Sequence, residues 1–359
     1  MIDDLARTLA DRRHEVRVLT TTPENTTEQG ARVPSMPLSR AEKFQVVRVS
    51  SLRVPMMGVP ISPLLPRRLR EDLIKWSPDV VHVHASIASA GALAGGWAAH
   101  SLGLPLVVTF HSALGGHRWI YELSHSLTGW GSWPQVVAGV SPMVADGVSR
   151  VLDRPTTVLA NGVDIGWWSA GHSVSAPARN CINLVTVQRL KHRKRGSALL
   201  KVVAAVEERL PDGHTLRVTF VGDGPRRSAL ERQAYRLGVD AKFLGAMPRE
   251  AVREVLHNSD VFILPSTREA FGLSAVEARA VGLPVVAFRT GSLQEIVPDG
   301  VAGLLVDTDR EMADALTRLA CDRDLLLQLC EGSVKTPPPF DWPLVVEAHE
   351  HVYREASGS

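Results

Sequence analysis

Two carboxylates, Glu269 and Glu277, stand either side of the run Ala270-Phe271-Gly272-Leu273-Ser274-Ala275-Val276. The run follows an apolar stretch with strand character and enters one with helical spacing, so Glu269 belongs to a loop and Glu277 to the helix beyond it. Backbone amides around Phe271 to Ser274 are the first of that helix, lack intrahelical acceptors, and suit a phosphate. On their own the two acids read equally as a surface acid followed by a helix-face acid.

A second run, Gln188-Arg189-Leu190-Lys191-His192-Arg193-Lys194-Arg195-Gly196, leaves the strand Ile182 to Val187 and opens a helix. Like charges packed this tightly repel unless a polyanion lies among them; arginine offers a fork and lysine a point charge for a diphosphate. A solvated basic loop and a nucleic-acid patch fit the charge as well. No aromatic residues interleave for base stacking, and a net charge of +2 gives no global pull toward nucleic acid. Val221-Gly222-Asp223-Gly224-Pro225 occupies a strand-to-helix turn, but Arg227 takes the place of the third glycine of a dinucleotide fingerprint, which argues against a dehydrogenase.

His111 closes the strand Leu106 to Phe110 at its C-terminal tip, where open parallel sheets take ligands, and reads as ligand-facing rather than as a core histidine. His82 and His84 share one face of the preceding strand; a metal centre would need two further ligands, so none is expected.

The Glu269 to Glu277 run resembles the signature of the family-4 retaining glycosyltransferases of GT-B architecture, two glutamates separated by seven residues around a Phe-Gly-Leu core. The resemblance implies transfer of a sugar from a nucleoside diphosphate to an acceptor hydroxyl with retention, the acceptor being a sugar, a lipid-linked or a small molecule. It implies that Glu269 binds the donor sugar, Glu277 the ribose, and Phe271, Gly272 and Leu273 the phosphates. Arg189 and Lys194 match the family's diphosphate pair, although Gln188 and Arg195 replace glycines usual beside them. Gly222 and Gly224 match a turn beneath the nucleotide, Met247 of Leu244-Gly245-Ala246-Met247 matches the base-contacting loop, and His111 is placed against the transferred sugar. Thr290 to Val297 resembles a loop near the phosphates with Ser292 in place of a glycine, and Ser141 matches a helix N-cap. No cofactor or metal is implied, since two cations can do the work of one. The alternatives are a non-catalytic homologue that binds nucleotide sugar, and a nucleotide-sugar epimerase or sugar phosphorylase on the same fold.

A chain of 359 residues with 45% hydrophobic and 22% charged residues has the composition of a folded globular protein and the length of two domains. Val/Leu-rich strands alternating with helical patterns predict two doubly wound Rossmann-like α/β domains facing a cleft. The expected division is 1–165 on the acceptor side, a Gly/Ser/Ala-rich linker 166–180, a nucleotide-sugar domain 181–335, and a last helix in 336–359 packing back on the N-terminal domain. The chain opens in a helix, where the family has a strand and a Gly-rich loop first, so that strand is expected to be missing; Arg13 stands where a glycine usually ends this helix. Three cysteines without paired spacing and no secretory signal point to the cytoplasm. The stretch Arg67-Arg68-Leu69-Arg70 with Leu73, Ile74 and Trp76 fits an ordinary surface helix or one in weak contact with the inner face of a membrane, Glu71 and Asp72 favouring the first.

Overall fold

A computed structural model describes residues 1–21, 44–49, 52–53, 60–61, 64–86, 90–115, 118–171 and 181–358. Much of the polar stretch read as a linker, 172–180, therefore lies outside the described residues. The chain divides into two compact units, Met1–Gly162 with Phe340–Ser359, and Val163–Pro339.

The first unit runs α1 (Ile2–Asp11), β1 (Arg17–Thr20), β2 (Gln45–Arg48), β3 (Leu52–Arg53), β4 (Pro60–Ile61), α2 (Leu65–Trp76), β5 (Val81–Ala85), α3 (Ala90–Ser101), β6 (Leu106–Phe110), α4 (Arg118–Thr128), β7 (Val136–Gly139), α5 (Pro142–Leu152) and β8 (Thr157–Val158). Strands β5-β6-β7-β8 form a parallel sheet in chain order, while β1 pairs in parallel with β2 in a separate sheet. Residues on both faces of β6 are buried, as a parallel strand covered by helices requires. Helix α1 ends with Arg13 at φ 73°, so arginine does hold the left-handed position that glycine would take without strain. Ser141 caps α5 by accepting from the Val144 amide at 3.4 Å. Leu65, Leu69 and Leu73 of α2 are buried, whereas Ile74 is exposed and Trp76 half-buried, so the stripe behind Arg67 to Arg70 is only partly turned to the protein interior.

The second unit runs α6 (Ile165–Ser169), β9 (Cys181–Val187), α7 (Gly196–Glu207), β10 (Thr215–Val221), α8 (Arg227–Leu237), β11 (Ala241–Gly245), α9 (Arg249–His257), β12 (Val261–Leu264), α10 (Leu273–Val281), β13 (Val285–Phe288), α11 (Leu293–Ile296), β14 (Gly303–Val306), α12 (Asp309–Cys321) and α13 (Arg323–Lys335). Its six strands are all parallel, in the order β11-β10-β9-β12-β13-β14. This is the doubly wound order, in which winding reverses between β9 and β12 and the loops leaving those two strands open a crevice for ligands. The last helix, α14 (Trp342–Ser357), belongs to the first unit. Its Trp342, Val345 and Val346 pack on Leu5 and Leu9 of α1, and Val352 and Ala356 on Val107 and Val136. No helix among the described residues is long and apolar enough to cross a membrane.

Candidate active site

The two chemically pointed runs are the loops that leave β9 and β12, which puts them on either side of the switch point of the second sheet. They meet there: Lys194 Nζ donates to Glu269 Oε2 at 2.6 Å, with each side chain 15% exposed. Lys194 ends a single 3-10 turn, His192–Lys194, in front of α7. Glu269 lies just ahead of Gly272, the N-cap of α10.

Gly272 has φ 89°, and a Cβ there would stand 2.8 Å from Leu293 Cδ2, so this entry to α10 needs glycine both for its backbone and for its space. Ala275 and Val276 donate back to the Gly272 carbonyl, while the Leu273 and Ser274 amides have no partner among the described residues and α10 has no side-chain cap. The open helix start foreseen between the two glutamates is thus present. Glu277 follows Leu273 by four residues, one turn into the helix, and is half-buried. Ser292 is fully buried and its hydroxyl donates to the Phe271 carbonyl at 2.5 Å, so the segment read as lying near the phosphates holds the Phe271 loop from below.

Arg279 of α10, only 2% exposed, anchors the same helix from within. It donates to the Ile296 carbonyl at 2.6 Å, to the Thr336 hydroxyl at 2.8 Å and to the Thr336 carbonyl; burial lowers its pKa to about 10. A buried cation served by neutral acceptors holds α10 to its neighbours without placing a carboxylate near the site. Nothing in its local sequence marks Arg279, because its partners come from distant segments.

The turn Gly222-Asp223-Gly224 straps the basic loop to the sheet. Gln188 and Leu190 donate to the Val221 and Asp223 carbonyls, both at 2.9 Å. A Cβ on Gly222 or Gly224 would come within 2.1 Å of the Gln188 carbonyl or 2.6 Å of the Leu190 carbonyl. These glycines are required by the close approach of two backbones. Gly222 also donates to the Gly245 carbonyl at 2.7 Å, which brings the chain that leads to half-buried Met247 beside the same turn.

Arg189 is half-buried. The substituted glycine positions acquire roles of their own. Arg195 takes φ 56°, a left-handed backbone costing a non-glycine residue on the order of 1–3 kcal/mol. Its Nη2 reaches both Asp309 oxygens at 2.9 and 2.7 Å, and its guanidinium lies 4.8 Å from the centre of the Phe288 ring. Gln188 is 7% exposed, and neither its side-chain oxygen nor its nitrogen has a hydrogen-bond partner among the described residues. Thr186 and Thr290 are orphaned in the same way, leaving polar atoms to be satisfied under the rim of the site.

Two Asp-x-Asp spacings, Asp307–Asp309 and Asp322–Asp324, sit at helix starts. Thr308 between the first pair caps α12 by accepting from Glu311, Asp309 is held by Arg195, and Asp322 caps α13 by accepting from Leu325. Among the described residues no group of three His, Cys, Asp or Glu side chains could hold a metal ion.

In the first unit His111 follows the tip of β6, where its amide donates to the Ala85 carbonyl at 2.9 Å. His111 Nε2 lies 2.9 Å from His84 Nδ1, so of these two nitrogens one carries the proton and the other accepts it. His82 spends both ring nitrogens, Nδ1 at 2.8 Å from the Tyr353 hydroxyl and Nε2 at 2.8 Å from the Thr109 hydroxyl. That accounts for His82 without a metal. The His82 and His84 rings lie 4.2 Å apart and His349 of α14 stands 5.8 Å from His82. Burial is the main cause that lowers the pKa of His84 to about 3 and of His111 to about 4; it also lowers those of His82 and His349, and raises that of Tyr353. The cluster is neutral near pH 7. The hydrogen bond to His84 and the parts played by His349 and Tyr353 of α14 come from tertiary packing and were not foreseen, although the return of the last helix to the first unit was expected.

Comparison with known proteins places the chain in a family. The family model described as Glycosyltransferase Family 4 matches residues 1–167, and that described as Glycosyl transferases group 1 matches 175–333. The D-inositol 3-phosphate glycosyltransferase of Saccharomonospora viridis is 31% identical over 313 residues, covering 77% of this chain and 70% of that protein. Matches to proteins of the same name from Corynebacterium urealyticum and Kribbella flavida span 42% and 51% of those proteins. Among solved structures, a glycosyltransferase from Rickettsia africae aligns with TM-score 0.76 at 17% identity over 99% of this chain and 93% of its own. Anabaena HepE in complex with UDP and glucose aligns with TM-score 0.75 at 20% identity over 98% and 94%. The fold is that of the GT-B enzymes, and the chain belongs to glycosyltransferase family 4.

Proposed function

We propose that the protein moves a sugar from a nucleoside diphosphate to an acceptor hydroxyl with retention at the anomeric carbon. The observation that carries this reading is the contact of Lys194 with Glu269 at the switch point, beside the open amides of Leu273 and Ser274. A diphosphate arriving there takes Lys194, Arg189 and the amides as its donors. Glu269, released from the lysine, is left as an acceptor for hydroxyls of the sugar. Glu277, one turn into α10, takes the ribose hydroxyls, and the chain from Gly245 to Met247 takes the base.

In the reaction the bond between the anomeric carbon and the diphosphate oxygen breaks, its electron pair leaving with the diphosphate. The acceptor oxygen bonds to the same face of that carbon, and its proton passes to the departing diphosphate. The cations and helix amides oppose the charge that develops on the leaving group, which is electrostatic stabilisation without a metal. His111, uncharged at neutral pH, serves as a neutral hydrogen-bond partner for the transferred sugar in this reading. Cys181, Cys321 and Cys330 are free, which suits the reducing cytoplasm.

Relatives named for D-inositol 3-phosphate make a phosphorylated polyol the first acceptor class to examine, and HepE in complex with UDP makes uridine diphosphate sugars the first donors. The test is release of nucleoside diphosphate from each donor with and without acceptor, followed by the anomeric configuration of the product. Acceptor-dependent release with retention is expected. Binding of a nucleotide sugar without turnover across donors and acceptors would favour the non-catalytic reading.

A further inference from the structure

The basic loop after β9 divides its charge. Lys194 turns to Glu269, whereas Lys191 and Arg195 line a different cleft of about 520 Å³, shared with Lys201 of α7, Arg226 ahead of α8 and Arg310 of α12. None of Arg189, Lys194, Glu269 and Glu277 lines it.

The cleft is cationic beyond what its own acids offset. Its one lining acid is Asp309, both of whose oxygens are taken by Arg195. Arg209, also in the lining, is paired with Asp314 at 2.7 Å. Lys191, Lys201, Arg226 and Arg310 have no anionic partner among the described residues. Four positive charges around one hollow reinforce one another's potential inside it, an effect that salt screens over about 8 Å at physiological strength. Concave walls of one sign focus the field inward. The volume falls in the range of small-molecule sites, roughly 300–1,000 Å³, and the mixture of guanidinium forks and ammonium points is the one that suits phosphate oxygens.

We propose that this cleft is a second anion site, taking a compact phosphate-bearing ligand with at least two negative charges, separate from the site for the donor diphosphate. It rests on the donor reading only for that separateness. The same chemistry is offered by a soluble polyphosphate and by an anionic lipid headgroup.

Inorganic pyrophosphate is titrated by calorimetry in about 0.15 M salt into the full chain, into K201A/R310A and into K194A, and the same proteins are floated with vesicles of acidic or of neutral phospholipid. Lys201 and Arg310 are exposed on helices, where alanine is well accepted, and matching melting temperatures confirm folding. The parent binds pyrophosphate at two sites; K201A/R310A loses at least tenfold at one of them and keeps the other, which K194A weakens. Flotation with acidic vesicles that depends on Lys201 and Arg310, without a second pyrophosphate site, identifies the headgroup as the source and also supports the cleft. Parent-like behaviour of K201A/R310A toward both probes overturns the proposal. If K194A alone is indifferent, the donor reading fails while the cleft stands.

Discussion

Lys194 and Glu269, 75 positions apart in sequence, share a hydrogen-bonded ion pair at the rim where the second sheet reverses its winding. In the proposed mechanism the diphosphate competes with Glu269 for the lysine, so the two variants part company. K194A weakens binding of nucleoside diphosphate about ten- to a hundredfold, the worth of a charge-assisted hydrogen bond of about 1.5–3 kcal/mol, and leaves nucleoside binding unchanged. E269Q lowers turnover while nucleoside diphosphate affinity holds or rises, because the competing carboxylate charge is gone. Parallel loss of turnover and diphosphate affinity in E269Q would show that Glu269 does not act on the sugar.

Glu277 is assigned to ribose. E277Q is expected to weaken a nucleoside diphosphate several-fold and a 2′,3′-dideoxy analogue not at all, since the analogue has no hydroxyl to donate to the carboxylate. Equal losses for the two ligands, read by calorimetry, would remove the ribose contact from the scheme.

Gln188 carries two orphaned polar atoms at 7% exposure. Q188M keeps the length of the side chain and removes both, each unsatisfied group costing about 1–3 kcal/mol. The unliganded variant is expected to melt a few degrees higher, at about 2–4 °C per kcal/mol for a domain of this size. A lower melting temperature would mean that the amide is satisfied in the free protein.

Strand placement was legible because strands buried on both faces are continuous apolar runs: β6 lies at its expected limits, Leu106–Phe110, and β9 begins one residue ahead of the expected Ile182. Glu269, Glu277 and the Arg189 to Lys194 loop were readable as chemistry because each is local, and the sheet order then brings their loops together. Contacts between distant segments were not readable. Arg195 looked like a departure from a glycine and proves to hold Asp309, 114 residues away; the bond between His84 and His111 likewise depends on the pairing of β5 with β6. Helix α6 fell partly within the stretch read as linker because Gly166 and Ser169 are weak helix formers, and Asp164 supplies the missing cap by accepting from Trp167 at 2.8 Å.

Two glycines separate backbone strain from steric need. Gly222 has φ 120° with a Cβ position 2.1 Å from the Gln188 carbonyl; Gly238 has φ 71° with nothing within 4 Å. G238A should cost only the left-handed backbone, about 1–2 kcal/mol. G222A must also push two backbones apart, so a larger loss of stability and displacement of the Arg189 to Lys194 loop are expected. Similar urea midpoints for the two variants would show that the turn beneath the basic loop yields freely.

The histidine cluster fixes a pH dependence whose sign follows from burial. The folded-state pKa values of His84 and His111, about 3 and about 4, lie below the ordinary histidine value of about 6.5, and those of His82 and His349 are lowered too. Below pH 6.5 the unfolded chain takes up protons that the folded chain refuses. The stability from keeping these rings neutral is therefore complete above 6.5 and is lost as the pH falls from there, through about 4 for His111 and about 3 for His84. His84 and His111 each contribute a slope of up to about 1.4 kcal/mol per pH unit within that window, and His82 and His349 act in the same direction. His84→Asn keeps a polar atom near the Nδ1 position and cannot be protonated, so it should make the slope shallower by about one proton. Urea unfolding of parent and variant at a series of pH values across the window reads this directly. Identical slopes for the two proteins would show that His84 is already charged in the folded chain, and the neutral His84–His111 pair would have to be given up.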